Sequence, residues 1–184
     1  MPSILIQIDE PLLRSLNKVA PAAKRQRAEF IRQAVKEGRT GKARRMLTHP
    51  FSLEGAVVKG HGIGSKQTVP TLNLEPDTTL LPATGVYVTR TLDLDSRRDW
   101  QSVTNIGYRP TFDGEGLTIE TFLLSAFDGL TPGRIRVEFL WRLREERRFE
   151  SPEALKAQIL RDVGKSRKFF TRLAKWDNGR RSLP

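Results

Sequence analysis

At 184 residues the chain is long enough for one good core, and its formal charge of +11 speaks of polyanion partners or solubility rather than of a fold. It has no cysteine, which excludes a disulfide framework and thiolate metal sites, and its two isolated histidines, His49 and His61, cannot build a His-based metal cluster. No apolar run approaches the roughly eighteen residues of a spanning helix, and Ile4 to Ile8 is too short for a signal-peptide core, so a cytoplasmic protein with no membrane partner is expected.

The charge is unevenly placed: residues 1–50 hold eleven Lys/Arg against four Asp/Glu, a net of +7. Ile4, Ile6 and Ile8 alternate with Ser3, Leu5 and Gln7, the period of a strand with one buried face. A short helix is expected from about Glu10, with Pro11 in its first turn and Leu12, Leu16 and Val19 on one side. After Ala20-Pro21-Ala22 a second helix runs to about Glu37, with Phe30, Ile31, Ala34 and Val35 as its apolar stripe. This β-α-α segment, 1–38, is too small to bury a core alone, and pairing of two chains would solve that. Gly38-Arg39-Thr40-Gly41 marks the boundary, with 39–43 as linker.

In its order of elements, and in Ile4 to Leu16 and Arg27-Ala28-Glu29-Phe30-Ile31-Arg32-Gln33-Ala34-Val35, the segment resembles the ribbon-helix-helix fold of bacterial DNA-binding regulators. That resemblance implies a homodimer through residues 3–9, with Ser3 and Gln7 turned toward DNA bases and Lys24, Arg25 and Arg27 meeting its phosphates. Leu5, between the two readers, is less polar than a base-reading residue normally is.

Next comes Gly60-His61-Gly62-Ile63-Gly64-Ser65-Lys66, leading into Pro70-Thr71-Leu72-Asn73. Three glycines in five residues let a backbone approach a bulky group and present N–H groups to it, which suits phosphate. Walker A spacing fails here, and the Gly-Lys-Ser at 164–166 has Ile159 where the first glycine belongs. No helix can follow β-branched Thr68-Val69 and Pro70, so a dinucleotide fingerprint fails too. On spacing alone a nucleotide loop and an ordinary glycine-rich connection stay equally open. Thr71 and Asn73, read as part of a Pro-Thr-x-Asn turn, offer two neutral oxygens that an extended segment would point the same way.

Leu53–Lys59, Val86–Leu92, Trp100–Ile106, Leu117–Ser125 and Arg134–Leu143 are β-branched or aromatic runs bounded by Gly, Pro and Asp, which predicts a closed or sandwiched antiparallel sheet. Ser151-Pro152-Glu153 reads as a helix start, with Leu155, Ile159 and Val163 as the stripe that would pack.

Five spaced motifs then carry a second resemblance: Pro50-Phe51-Ser52-Leu53-Glu54-Gly55; Pro70-Thr71-Leu72-Asn73-Leu74 with Gly85-Val86-Tyr87; Asn105-Ile106-Gly107-Tyr108-Arg109-Pro110-Thr111-Phe112; Ile119-Glu120-Thr121; and Ile135 to Phe149, with Asp162 beyond. The stretch from about Arg44 to Trp176 resembles the riboflavin kinase domain of bacterial bifunctional riboflavin kinase/FAD synthetases. It implies a mainly β fold, a six-stranded antiparallel Greek-key barrel with a C-terminal helix over 44–178 followed by a tail at 179–184. It also implies ATP-dependent phosphorylation of riboflavin, giving FMN and ADP, with Mg2+ as cofactor. FAD synthesis is not expected, because the only two histidines stand twelve residues apart.

Carried onto this sequence, the resemblance makes Glu120 the general base, although spacing alone reads it as a glutamate on a solvated face. It places Thr71 and Asn73 at the magnesium, and Gly60, Gly62, Gly64, Ser65 and Lys66 at the nucleotide phosphates. Asn105, Arg109 and Thr111 lie near the flavin or the rim, with a turn at Gly107 to Pro110 as the equal alternative. Arg144 and Arg147 meet phosphate or pair with Glu145 and Glu146. Ile63 and Thr68 stand where the family usually has arginine and glycine, which keeps open a flavin- or ATP-sensing transcriptional regulator with reduced or no kinase activity. A truncated synthetase with a helical stub before the kinase domain is the alternative, and the alternating strand Ile4–Ile8 favours the regulator reading over it.

Overall fold

The computed structural model describes residue 15 and residues 24–58, 71–111, 114–125 and 131–181. The expected strand Ile4–Ile8, the first helix apart from Ser15, and Ser3 and Gln7 lie outside the described residues. Helix α1 spans Lys24–Lys36 and α2 Thr40–Leu47; strands follow at Phe51–Val58 (β1), Thr71–Pro76 (β2), Gly85–Asp93 (β3), Asp99–Thr111 (β4), Gly114–Leu123 (β5) and Arg134–Arg144 (β6), then helix α3 at Pro152–Arg181. All neighbours are antiparallel, and the sheet closes as β1-β2-β5-β4-β3-β6. Closure leaves no unpaired edge, which suits a sheet built from short strands.

Five of these strands follow the predicted runs, and the sixth, β2, corrects one expectation. Thr71–Pro76 is a strand between β1 and β5 and not a turn. Its alternation is plain once seen, with Leu72 and Leu74 buried and Thr71 and Asn73 on the other face.

Inside the barrel Leu53, Leu72, Ile106, Ile119, Val137 and Phe139 form one cluster. Among them runs a chain of buried hydroxyls, Thr91 to Ser102 (2.8 Å), Ser102 to Thr89 (2.8 Å), Thr89 to Thr104 (2.8 Å) and Thr104 to Thr121 (2.9 Å). Each hydroxyl is thereby satisfied without water, the condition for burying it at low cost. Strand β1 passes so close to β2 that a Cβ added to Gly55 would lie 1.8 Å from the carbonyl oxygen of Glu75.

The barrel end is covered by α1 and α2. Ile31, Ala34 and Val35 pack with Ala43, Met46 and Leu47, over Phe51 and Leu80. Each large member contributes roughly 1.5–3 kcal/mol by burial. Sequence periodicity found this stripe but not its partner, which is α2 together with Phe51 and Leu80 of the same chain. Arg27, expected at DNA phosphate, is buried at 7% exposure on the same helix, so it is not available as a surface charge. Lys24 and Arg25 lie on α1, their side chains outside the described residues. Nor is 39–43 an open linker, since Thr40 starts α2 and both Thr40 and Ala43 are buried. Gly38 ends α1 at φ +68°, where the N–H groups of Gly38 and Arg39 return to the carbonyls of Val35 and Ala34 at 2.8 and 2.9 Å.

Tyr87 sits beneath this cap, fully buried, its ring edge-on to Phe139 and its hydroxyl donating to the Ala83 carbonyl at 2.5 Å. Burial pushes its phenol up to about 12. The unfolded chain loses this proton near pH 10 while the folded chain keeps it, so the contribution is fully present below pH 10. It is lost as pH rises from about 10 to 12, a change on the order of 2–3 kcal/mol. Urea unfolding at pH 9 and pH 11 should show a larger loss for the wild type than for Tyr87→Phe. Equal losses would refute it.

Helix α3 starts as predicted, with Ser151 Oγ accepting from the Ala154 N–H at 3.2 Å and Pro152 in the first turn. Its buried face is not the predicted one. Leu155 is 40% exposed, and the buried residues are Gln158, Asp162, Ser166 and Phe170, four apart along one side. Phe170 packs on Val88 and Leu140, which is why Val88, on the outer face of β3, is also buried. The polar part of the stripe is buried because β6 and the segment after it supply its partners. Arg144 Nε donates to Asp162 Oδ2 at 2.9 Å, Gln158 Nε2 to Asp162 Oδ1 at 2.8 Å, and Arg147 to Gln158 Oε1.

Candidate active site

The register of three adjacent strands gathers the expected site residues. Asn73 of β2 stands opposite Glu120 of β5, and Glu120 stands opposite Asn105 of β4. Their neighbours Leu72, Thr121, Ile119, Thr104 and Ile106 are buried, so strand alternation turns the three polar side chains to the outer face of the wall. Glu120 therefore faces the outside of the barrel rather than its interior, and is half-buried there beside Asn73 and Asn105.

Thr71, two residues before Asn73, is opposite Phe122 and exposed. Val58, the last residue of β1, is opposite Asn73. The chain between Val58 and Thr71 contains Gly60, Gly62, Gly64, Ser65 and Lys66, all outside the described residues, but both of its anchor points flank Asn73.

The alternative of a turn at Gly107 to Pro110 is corrected, because these residues continue β4 and pair with Thr118 through Glu115 of β5. Arg109 and Thr111 belong to that ladder, opposite Gly116 and Gly114, with their side chains outside the described residues.

Two neutral oxygens on one strand face suit a hard cation that takes most of its shell from phosphate and water. Among the described residues no group of three or more His, Cys, Asp and Glu could hold a metal without such help. Thr71 and Asn73 thus fit a magnesium ion that arrives with a nucleotide, and do not fit a permanently held one.

Arg144 and Arg147 do not pair with Glu145 and Glu146. Arg144 takes Asp162, with side-chain exposures of 19% and 4%, and Glu145 meets Arg142 at 3.7 Å. The signal for the Asp162 pairing is present in the sequence, as polar residues at 158, 162 and 166 along a helix, but an apolar-stripe search passes over it.

The riboflavin kinase (flavokinase) family model matches residues 47–170. A bifunctional riboflavin kinase/FMN adenylyltransferase of Pseudomonas fluorescens is 38% identical over 138 residues, 74% of this chain and 44% of the relative. The protein of the same description in Escherichia coli (strain K12) is 36% identical over 140 residues, 76% of this chain and 44% of its own. The chain therefore spans less than half the length of these curated relatives. A solved structure from Streptococcus pneumoniae, described as a macrolide-efflux protein, superposes with a TM-score of 0.69 at 27% identity, over 80% of this chain and 49% of that one. Among the described residues of this chain, no helix is long and apolar enough to cross a membrane.

Proposed function

The chain belongs to the riboflavin kinase family, and on that footing we propose that it transfers the γ-phosphate of ATP to the terminal ribityl hydroxyl of riboflavin, with residues 44–178 as the kinase domain. The observation that carries this is the row Asn73, Glu120, Asn105 across β2, β5 and β4. A hydroxyl attacking a phosphoryl group needs alignment, charge neutralisation and a proton acceptor. Glu120 takes the proton. Thr71 and Asn73 hold the metal–nucleotide, whose magnesium offsets phosphate charge when bound, and the glycine-rich chain anchored beside them presents N–H groups to phosphate. The second activity in the relatives' names is theirs, and the proposal is limited to the kinase reaction. DNA binding by residues 1–38 and a homodimer through 3–9 rest on the sequence resemblance, and α1 lends them no support.

Mixing the protein with riboflavin, ATP and Mg2+ should give FMN, measured by chromatography. No FMN would overturn the proposal and leave a flavin- or ATP-sensing role. Asn73→Ala should lower turnover about 10- to 100-fold, the scale of a disturbed metal environment, and riboflavin binding should change little. Thr71→Ala should act in the same sense. Parallel losses of stability and activity in both variants would instead mark the pair as structural.

A further inference from the structure

The segment leaving β6 is held from both sides of Glu146. Arg144 is tied to Asp162, Arg147 to Gln158, and both guanidinium groups lie over the Phe149 ring, at 5.7 and 4.8 Å from its centroid. Between these ties Glu146 turns toward β4. A Cβ added to Gly107 would lie 2.1 Å from Glu146 Oε1 and 3.1 Å from Asn105 Nδ2, so the carboxylate and the amide share the space above this glycine. Gly107 is buried although Glu146 itself is exposed, and Asn105 is the residue opposite Glu120.

An ionised carboxylate only accepts hydrogen bonds, so beside Glu146 the Asn105 amide is stable with its NH2 toward the carboxylate. That leaves Asn105 Oδ1 free to accept from a hydroxyl. Resting on the kinase reading above, we propose that Glu146 is a positioning residue for the acceptor: it fixes the Asn105 amide so that Oδ1 receives a hydroxyl of the ribityl chain next to Glu120. The substrate class recognised is a flexible polyol, bound through a hydroxyl other than the one that is phosphorylated.

The test is a double-mutant cycle on the full chain with riboflavin, read as fluorescence quenching on binding and as steady-state kinetics. Glu146→Gln should weaken riboflavin binding about 10-fold, the scale of one hydrogen bond to a fixed polar group, and raise the KM for riboflavin alike. Its kcat should stay within about twofold, with the KM for ATP and the thermal midpoint unchanged. Asn105→Ala should weaken binding as much, and the double variant no further, because the two act as one unit. Glu145→Gln, which only releases Arg142, is the control. A Glu146→Gln variant indistinguishable from Glu145→Gln, or losses that simply add in the double variant, would overturn the assignment. Wild-type protein that binds riboflavin but makes no FMN would overturn the kinase reading, while the binding cycle still decides the role of Glu146. Wild-type protein that binds no riboflavin would overturn both.

Discussion

Glu120→Gln should lower turnover on the order of 10²-fold or more while riboflavin binding is largely kept. Gln preserves the size and hydrogen-bonding reach of the side chain but cannot take a proton, and a positioned general base contributes roughly 10²–10⁴-fold. The separation of turnover from binding is the discriminating measurement, since an interaction made only in the transition state lowers kcat without weakening the ground-state complex. The location supports the expectation. Glu120 lies between two amide side chains in a fixed antiparallel register, so its position is set by three strands rather than by a loop. Pre-steady-state mixing would show whether the loss falls on phosphoryl transfer. Unchanged turnover would make Glu120 a solvated surface carboxylate and remove the centre of the site.

Gly55→Ala should cost more stability than any other single methyl addition at a described position. The new Cβ would come within 1.8 Å of a backbone carbonyl oxygen on β2 and 2.8 Å of its carbon, and neither can rotate away as a side chain would. Either β1 or β2 must shift, and both are ladder members, so the strain spreads into the closed sheet. A cost above about 4 kcal/mol is expected, large against the 5–15 kcal/mol that holds a typical domain. The Tm should fall on the order of 10 °C or more, if the variant is recovered folded at all. Gly41→Ala is the matched control: its added methyl meets nothing within 4 Å, and it lies in α2, where alanine is the better helix former. Thermal unfolding followed by circular dichroism reads both, and an unchanged Tm for Gly55→Ala would refute the close approach of β1 and β2.

How much of this was legible beforehand differs by element. Five strands announced themselves because their β-branched and aromatic runs lie between turn residues. β2 was harder: its alternation of Thr, Leu, Asn and Leu is only four residues long, and the proline before it suggested a turn. The stripe on α1 was found and its partner was not, because periodicity states which face is buried but never against what. The buried face of α3 escaped for the opposite reason. Leu155, Ile159 and Val163 have helical spacing, yet the wall of β6 presents Arg144, and an arginine selects the aspartate one residue before Val163. Motif comparison named Asn73, Glu120 and Asn105 separately. That they stand in one row is a fact of strand register, which no single stretch of sequence carries.

The buried hydroxyl chain has a consequence for how that row comes to exist. Inside–outside alternation repeats every two residues, so slipping β4 against β5 by two positions would leave every apolar side chain on its proper face. Hydrophobicity cannot tell the two alignments apart. Hydroxyl groups can: slipped so that Thr121 faces Ile106, Thr121 would lose Thr104 while Thr104 kept Thr89, and an orphaned buried hydroxyl is penalised by about 1–3 kcal/mol. Thr104 and Thr121 are the chain neighbours of Asn105 and Glu120, so the polar order inside the barrel and the chemistry outside it are two readings of a single alignment. The interior threonines thus act as a vernier, setting which outward residues meet across a wall whose greasy side would accept several settings.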